Sequence, residues 1–259
     1  STGFGTLVGE ISYCNYSAFN DFTSDTEALV QGEDGRLDFG VELPPDNIIA
    51  VVAPYFTRAI YADYKTIFLS MPNNPGLIDA NNKIEVASDD SEIILFMAKI
   101  AEQVLYVATT KDIYVLAGDG TIDGLGILNF KLSPLGIEQL PISSAYAIEN
   151  STLYYLASDG WRFLSGSNTS LVNQGLDLLF QGLTRHGLTP FRVLPRNGGV
   201  ASVIATRGKL YCAMEQITLG RCLVIYDFAR QTWRYQRQDT AANNPLHLYL
   251  EEDGTILYS

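Results

Sequence analysis

The side chains of this sequence that could do acid–base, nucleophilic or metal chemistry are two histidines, three cysteines and 29 acids. His186, in Thr184-Arg185-His186-Gly187, follows a predicted helix. It reads as a C-terminal helix residue near the negative end of the dipole rather than as a catalytic base. His247 alternates within a predicted strand and reads as a packed or rim residue; neither histidine has a Cys or a second His at metal-ligand spacing. No Gly-x-Ser-x-Gly elbow and no Walker loop occurs. Residues 116–124, Leu-Ala-Gly-Asp-Gly-Thr-Ile-Asp-Gly, faintly resemble a calcium loop. They lack the third and fifth carboxylates and the closing Glu in register, so a Gly-rich turn is expected. Asp89-Asp90-Ser91-Glu92 reads as a solvated acidic turn. Glycoside hydrolysis needs two carboxyl groups converging on one bond, and nothing among the acids selects a pair. The expectation is a chain with no catalytic, cofactor-binding or metal residues, and not an enzyme.

Cys14 stands alone. A hairpin centred on Ile217 would set Cys212 opposite Cys222, close enough for a bridge. An odd cysteine count fits a reducing compartment, so two buried thiols are expected.

The elements that would position these groups are strands. Residues 144–166 contain three in a row: Ala145 to Glu149, Thr152 to Ala157 and Trp161 to Leu164. Asn150-Ser151 forms the first turn. The second, Ser158-Asp159-Gly160, carries the Asp-Gly pair favoured where both central residues of a type I′ turn need positive φ. The pattern recurs. Ile60-Tyr61, Leu105-Tyr106, Leu153-Tyr154 and Leu210-Tyr211, with a weaker Ile256-Leu257, are spaced by 45, 48, 57 and 46 residues. Each follows a strand-like run, and four precede another. Lys83 to Ala87, Ile127 to Leu132 and Thr232 to Gln236 fit as fourth strands. Four antiparallel strands repeated at this period predict an all-β fold, a β-propeller of four-stranded blades. Five blades are expected, six being the alternative count, in a single domain over residues 1–259.

Composition agrees: 47% apolar residues, 15 Tyr and 12 Phe suit packed sheets, and 22 Gly with 10 Pro supply turns. A net charge of −12 argues against a nucleic-acid-binding face and against docking on anionic membranes. No signal-peptide pattern opens the sequence, and no apolar run has the length of a spanning helix. Along the chain, Pro72-Asn73-Asn74-Pro75-Gly76 reads as an inter-blade loop. Ile93 to Gln103 fits a helix or a strand by periodicity, and its place in the repeat favours the strand. Leu176, Leu179, Phe180 and Leu183 mark a short amphipathic helix over 175–184. The last unit has two strands, and residues 6–16 and 36–43 are expected to complete it, closing the ring without an open edge.

Tyr226-Asp227-Phe228-Ala229-Arg230-Gln231-Thr232-Trp233 is similar to a kelch-type turn. The wider order resembles the propeller-type structural proteins of tailed bacteriophages, found in tail, neck and nozzle assemblies. It runs from Ile11–Ser17 with Phe19, Phe22 and Thr23, through Leu153–Gly166, the Leu176–Phe180 helix and Leu223–Trp233, to Asp253–Tyr258. That resemblance implies a non-enzymatic structural virion protein, made in the host cytoplasm and assembled with other virion proteins, usually as a homo-oligomeric ring. It implies no site residues. The alternative from a different class is a carbohydrate-binding or glycoside-hydrolysing propeller with an axial pocket, for which Tyr, Trp and acids are plentiful.

Overall fold

The computed structural model describes residues 41–86, 89–122, 128–172, 177–184, 190–193, 203–216, 220–237, 248–250 and 256–258. These residues are almost wholly β. The chain divides into two compact units, residues 1–107 with 114–133, and residues 108–113 with 134–259.

In the first unit, β2 (Ala50–Tyr55), β3 (Arg58–Ala62), β4 (Thr66–Met71) and β5 (Asn74–Glu85) form an antiparallel meander. The short β1 (Val41–Glu42) pairs with β5 on its outer edge. A second sheet follows in chain order: β6 (Ile94–Ala101), β7 (Val104–Thr109), β8 (Ile113–Ile122) and β9 (Leu128–Pro134). Ile60, Ile67 and Leu69 of the first sheet share one apolar core with Ile94, Met97 and Leu105 of the second. Tyr55 is fully buried there, and its hydroxyl donates to the Leu116 carbonyl at 3.0 Å.

The second unit repeats the plan. A third sheet holds β10 (Pro141–Glu149), β11 (Thr152–Ala157), β12 (Gly160–Ser165) and β13 (Asn168–Leu171). The helix α1 (Asp177–Phe180) comes next. A fourth sheet holds β14 (Phe191–Val193), β15 (Val203–Thr206), β16 (Lys209–Gln216), β17 (Gly220–Asp227) and β18 (Thr232–Arg237), with β14 and β15 both paired to β16. A last hairpin pairs β19 (Leu248–Leu250) with β20 (Ile256–Tyr258). Residues of the third sheet, α1 and the fourth sheet share one apolar core.

Most strands fall where the repeat puts them, and 94–101 is strand rather than helix. Several expectations are corrected. Pro72–Gly76 is not an inter-blade loop. Met71 pairs with Asn74, and Asn73 at φ 57° sits behind Pro72 in a tight hairpin within the first sheet, as a type II turn requires. Residues 116–122 are not a turn either; they continue β8. The helix keeps one turn of the expected 175–184. Val41 and Glu42 pair with Asp79 and Ile78 of the first sheet, so this part of 36–43 does not complete the last unit. Residues 6–16 and 36–40, His186, His247 and Cys14 lie outside the described residues.

Two register details also differ. Tyr106, Tyr154 and Tyr211 are the third residues of β7, β11 and β16, but Ile60 is the third residue of β3 and Tyr61 the fourth. The β2–β3 ladder slips by one residue between Val52 and Tyr55, and a one-residue slip exchanges faces. Ile60 enters the core shared with the second sheet, and Tyr61 packs on the opposite side with Ala59 and Ile78. In the fourth sheet Cys212 pairs with Val224 and Cys222 with Met214, so the cysteines are diagonal rather than opposite. Both are free and buried.

Candidate functional site

Cross-strand pairing builds an aromatic cluster in the second unit. On β17 and β18, Tyr226 pairs with Trp233 and Val224 with Tyr235, so both β18 rings share the face that Cys212 and Met214 occupy on β16. From the third sheet, Tyr154 and Trp161 reach the same core. The apolar residues Leu179 and Phe180 of α1 and Phe191 of β14 complete it.

The rings form a continuous chain. Tyr154 lies 5.0 Å from Phe228, Phe228 5.2 Å from Tyr226, and Tyr226 4.8 Å from Trp233, centroid to centroid. Trp233 meets Phe180 at 5.6 Å, and Phe180 meets Trp161 edge-on at 6.4 Å. Phe180 also touches Phe191, which stacks on Tyr235 at 6.0 Å and 28°. Contacts of this geometry each add about 0.5–1.5 kcal/mol beyond area burial. Tyr154, Phe228, Trp233 and Tyr235 remain only partly buried.

Both tryptophans of the chain are in this cluster. Their indole Nε1 atoms are buried and have no hydrogen-bond partner among the described residues. A buried donor without an acceptor costs about 1–3 kcal/mol, and most native donors avoid it.

Polar groups are held at hairpin turns of the same sheets. At the β11–β12 turn, the Arg162 guanidinium donates from Nε to Asp159 Oδ1 at 2.9 Å and from Nη2 to Asp159 Oδ2. The Arg162 hydrogen bonds hold the Asp159 carboxyl below its usual range. Gln181, just beyond α1, donates to the Asp159 carbonyl at 3.2 Å. At the tips of the β15–β16 and β17–β18 hairpins, the Phe228 amide donates to the Gly208 carbonyl at 3.0 Å. The Gly208 amide donates to Glu149 Oε1 at 2.9 Å. Asp227 accepts from the Arg230 amide at 3.0 Å and faces the Arg230 guanidinium at 3.6 Å.

Burial pushes the Cys222 thiol up to about 12 and also raises Cys212 well above its ordinary value, so neither supplies a thiolate near neutral pH. Burial also raises Tyr154 and Tyr226, assisted by the charges of Glu149 and Asp227 respectively. Both stay neutral phenols. The Asp159 and Asp227 carboxylates are ion-paired.

The acidic turn at 89–92 is part solvated and part buried. Asp89 Oδ1 accepts from the amides of Ser91 and Glu92, and exposed Asp90 pairs with Lys65 at 2.8 Å. Glu92, expected in solvent, is fully buried and accepts from the Tyr114 hydroxyl at 3.0 Å. Among the described residues, no three His, Cys, Asp or Glu side chains are grouped to hold a metal ion. Sequence reading missed the aromatic cluster. The available signals were aromatics in alternate positions, Trp233 and Tyr235, beside the amphipathic 175–184 segment.

No family model matches the chain, and no curated protein matches it. Solved structures align with it at low similarity. The extracellular domain of a candidate one-component system from B. thetaiotaomicron is 14% identical with a TM-score of 0.47, over 82% of this chain and 25% of that one. A candidate 6-phosphogluconolactonase from Bacteroides uniformis is 13% identical with a TM-score of 0.44, over 80% and 62%. A puromycin hydrolase is 11% identical with a TM-score of 0.44, over 84% and 34%. The chain thus spans between a quarter and about three fifths of the length of these structures. Their descriptions are of enzymes and a sensor ectodomain, not of virion components. The expected role as a structural virion protein of a tailed phage is corrected on that finding and is not carried forward.

Proposed function

We propose that the chain is a non-catalytic carbohydrate-binding module with a β-propeller fold of five four-stranded blades in one domain. The blade reading is supported by the repeat period and by successive four-stranded meanders in chain order. The observation that carries the binding reading is the chain of contiguous rings, four of them only partly buried, around two buried indole donors that have no partner among the described residues. Sugar rings present C–H faces that stack on aromatics and oxygens that accept from N–H groups, so this ligand class matches both features. The binding arm of the alternative is preferred to the hydrolytic arm because Asp159 and Asp227 are already ion-paired.

Both tryptophans report on this site, so intrinsic emission is a direct probe. Titration with a panel of neutral and acidic hexasaccharides is expected to change Trp emission saturably for at least one member. Trp233→Ala is expected to weaken that binding about tenfold or more, as loss of one stacking ring does. No emission change with any member of the panel, together with no binding by calorimetry, overturns the reading.

A further inference from the structure

We infer that Cys212, Met214 and Cys222 form a binding site for a soft monovalent metal ion, copper(I), held by sulfur alone.

Strand register brings the three sulfurs together. Met214 of β16 pairs directly with Cys222 of β17, and Cys212 lies two residues before Met214 on the same strand. Alternation with period 2 therefore puts all three on one face. All three are fully buried in one apolar core. The chain has three cysteines and three methionines, so half of its sulfur-bearing side chains meet at this place.

Register also limits what the sulfurs can do. The direct partner of Cys212 is Val224, which leaves Cys212 diagonal to Cys222. Diagonal neighbours lie about 7–8 Å apart, their Cβ atoms somewhat less. A disulfide holds Cβ atoms at about 3.5–4.5 Å, and both thiols are free. Two metal–sulfur bonds of about 2.3 Å each lengthen the path enough to cross the diagonal. The Met214 thioether, on its flexible unbranched chain, can turn to the same point.

The ligand set selects the ion. Thiolate and thioether sulfurs are soft and favour copper(I). Zinc takes four ligands drawn from Cys, His and carboxylate, and the cross-strand neighbours of Cys212 are Val203 and Val224, which supply none. On binding, a copper–sulfur bond replaces a cysteine S–H bond and the proton leaves to solvent; copper stays monovalent, so no oxidant or reductant is needed. Burial keeps the thiols protonated without the ion. The charge of the ion then offsets that of the thiolate it creates. A seam lies beside the site. Val203 of β15 pairs with Cys212 and Val193 of β14 with Met214, so the edge of β16 changes partner between the two sulfurs. Strands of three and four residues meet there, and such short pairings open more readily than the long β16–β17 ladder.

The test titrates the whole chain, reduced and free of oxygen, into the coloured copper(I)–bicinchoninate complex, with zinc chloride as the comparison ion. The chain is expected to take about one copper(I) per molecule from the chelator. X-ray absorption at the copper edge should find only sulfur bound to the ion. Met214→Leu conserves core volume, so its melting temperature should stay near the parent's. Its copper(I) affinity should fall at least about tenfold, since even partners behind the ligands are worth about 10–100-fold. Cys222→Ala should abolish binding, and Cys14→Ser should retain it. A parent chain that leaves the bicinchoninate complex intact overturns the inference. So does binding that survives Cys222→Ala, is unchanged in Met214→Leu, disappears in Cys14→Ser or is matched by zinc, and so does oxygen or nitrogen bound to the copper.

Discussion

Arg162 holds Asp159 through two nitrogens in a setting where neither side chain is fully exposed. The Arg162 hydrogen bonds lower the Asp159 pKa from its ordinary 3.8. A depressed folded-state pKa contributes stability that is complete above the unfolded value and disappears as pH falls through the folded one. Asp159→Asn should therefore cost about 1 kcal/mol at pH 7, after allowance for solvent screening, and almost nothing near pH 2. Urea melts of parent and variant at both pH values check this; an equal gap at the two would remove the ion pair as its cause. Tyr55 titrates with the opposite sign. Burial pushes its phenol up to about 12, so its contribution is complete below about pH 10 and is lost as pH rises toward 12. Neither shift was visible in sequence. Asp159 reads there only as half of a turn motif, and Tyr55 as one tyrosine among 15.

Turn chemistry located the hairpins well but not their dihedrals. The Asp159-Gly160 hairpin is where the motif puts it, yet Ala157 pairs with Gly160, so Ser158 and Asp159 are the central residues. Positive φ falls on Gly160 alone, at 131°. The type I′ signature with both residues positive occurs instead at Asn150-Ser151 and Arg207-Gly208. A motif specifies a reversal; the ladder register, fixed by burial on both flanking strands, decides which residues bend. The same limit explains Tyr61, which lies three residues past the turn-closing Arg58 where Tyr154 and Tyr211 lie two past theirs, and the cysteines, where a one-residue error in the hairpin centre turned a diagonal pair into a direct one. Gly160→Val should cost about 1–3 kcal/mol, because a β-branched residue is strained at that φ. Gly118→Ala should cost a similar amount for a different reason. A Cβ there would fall on the Asn129 carbonyl oxygen of the neighbouring β9, so the strands must separate. Denaturant midpoints with unchanged m-values check both, and a neutral Gly118→Ala would mean that β8 and β9 run further apart.

The aromatic cluster belongs to the assembled second unit, and this is why the sequence concealed it. Trp161, Phe180, Phe191 and Trp233 come from a strand, a helix, a short strand and an edge strand spread over 73 residues. A period-2 or 3.6 pattern can show that each ring faces inward, but not that they face one another. The repeat, by contrast, was legible because each meander is local in sequence and its turns are short. What the repeat leaves to experiment is whether the sheets form a single domain, as proposed, since contacts cluster into two compact units. The two tryptophans, both in the second unit, make the question measurable. Tyr55→Phe removes a buried hydrogen bond from the first unit, at a cost of about 1 kcal/mol or somewhat more. In a closed propeller, unfolding is one cooperative transition. The melting curve followed by Trp emission should then shift down by the same interval as the far-UV circular dichroism curve, which reports both units. The two probes should also coincide in the parent. A Trp transition that stays in place while the dichroism curve broadens would show the units unfolding separately, and the single-domain propeller would have to be given up even if the aromatic cluster still bound its glycan.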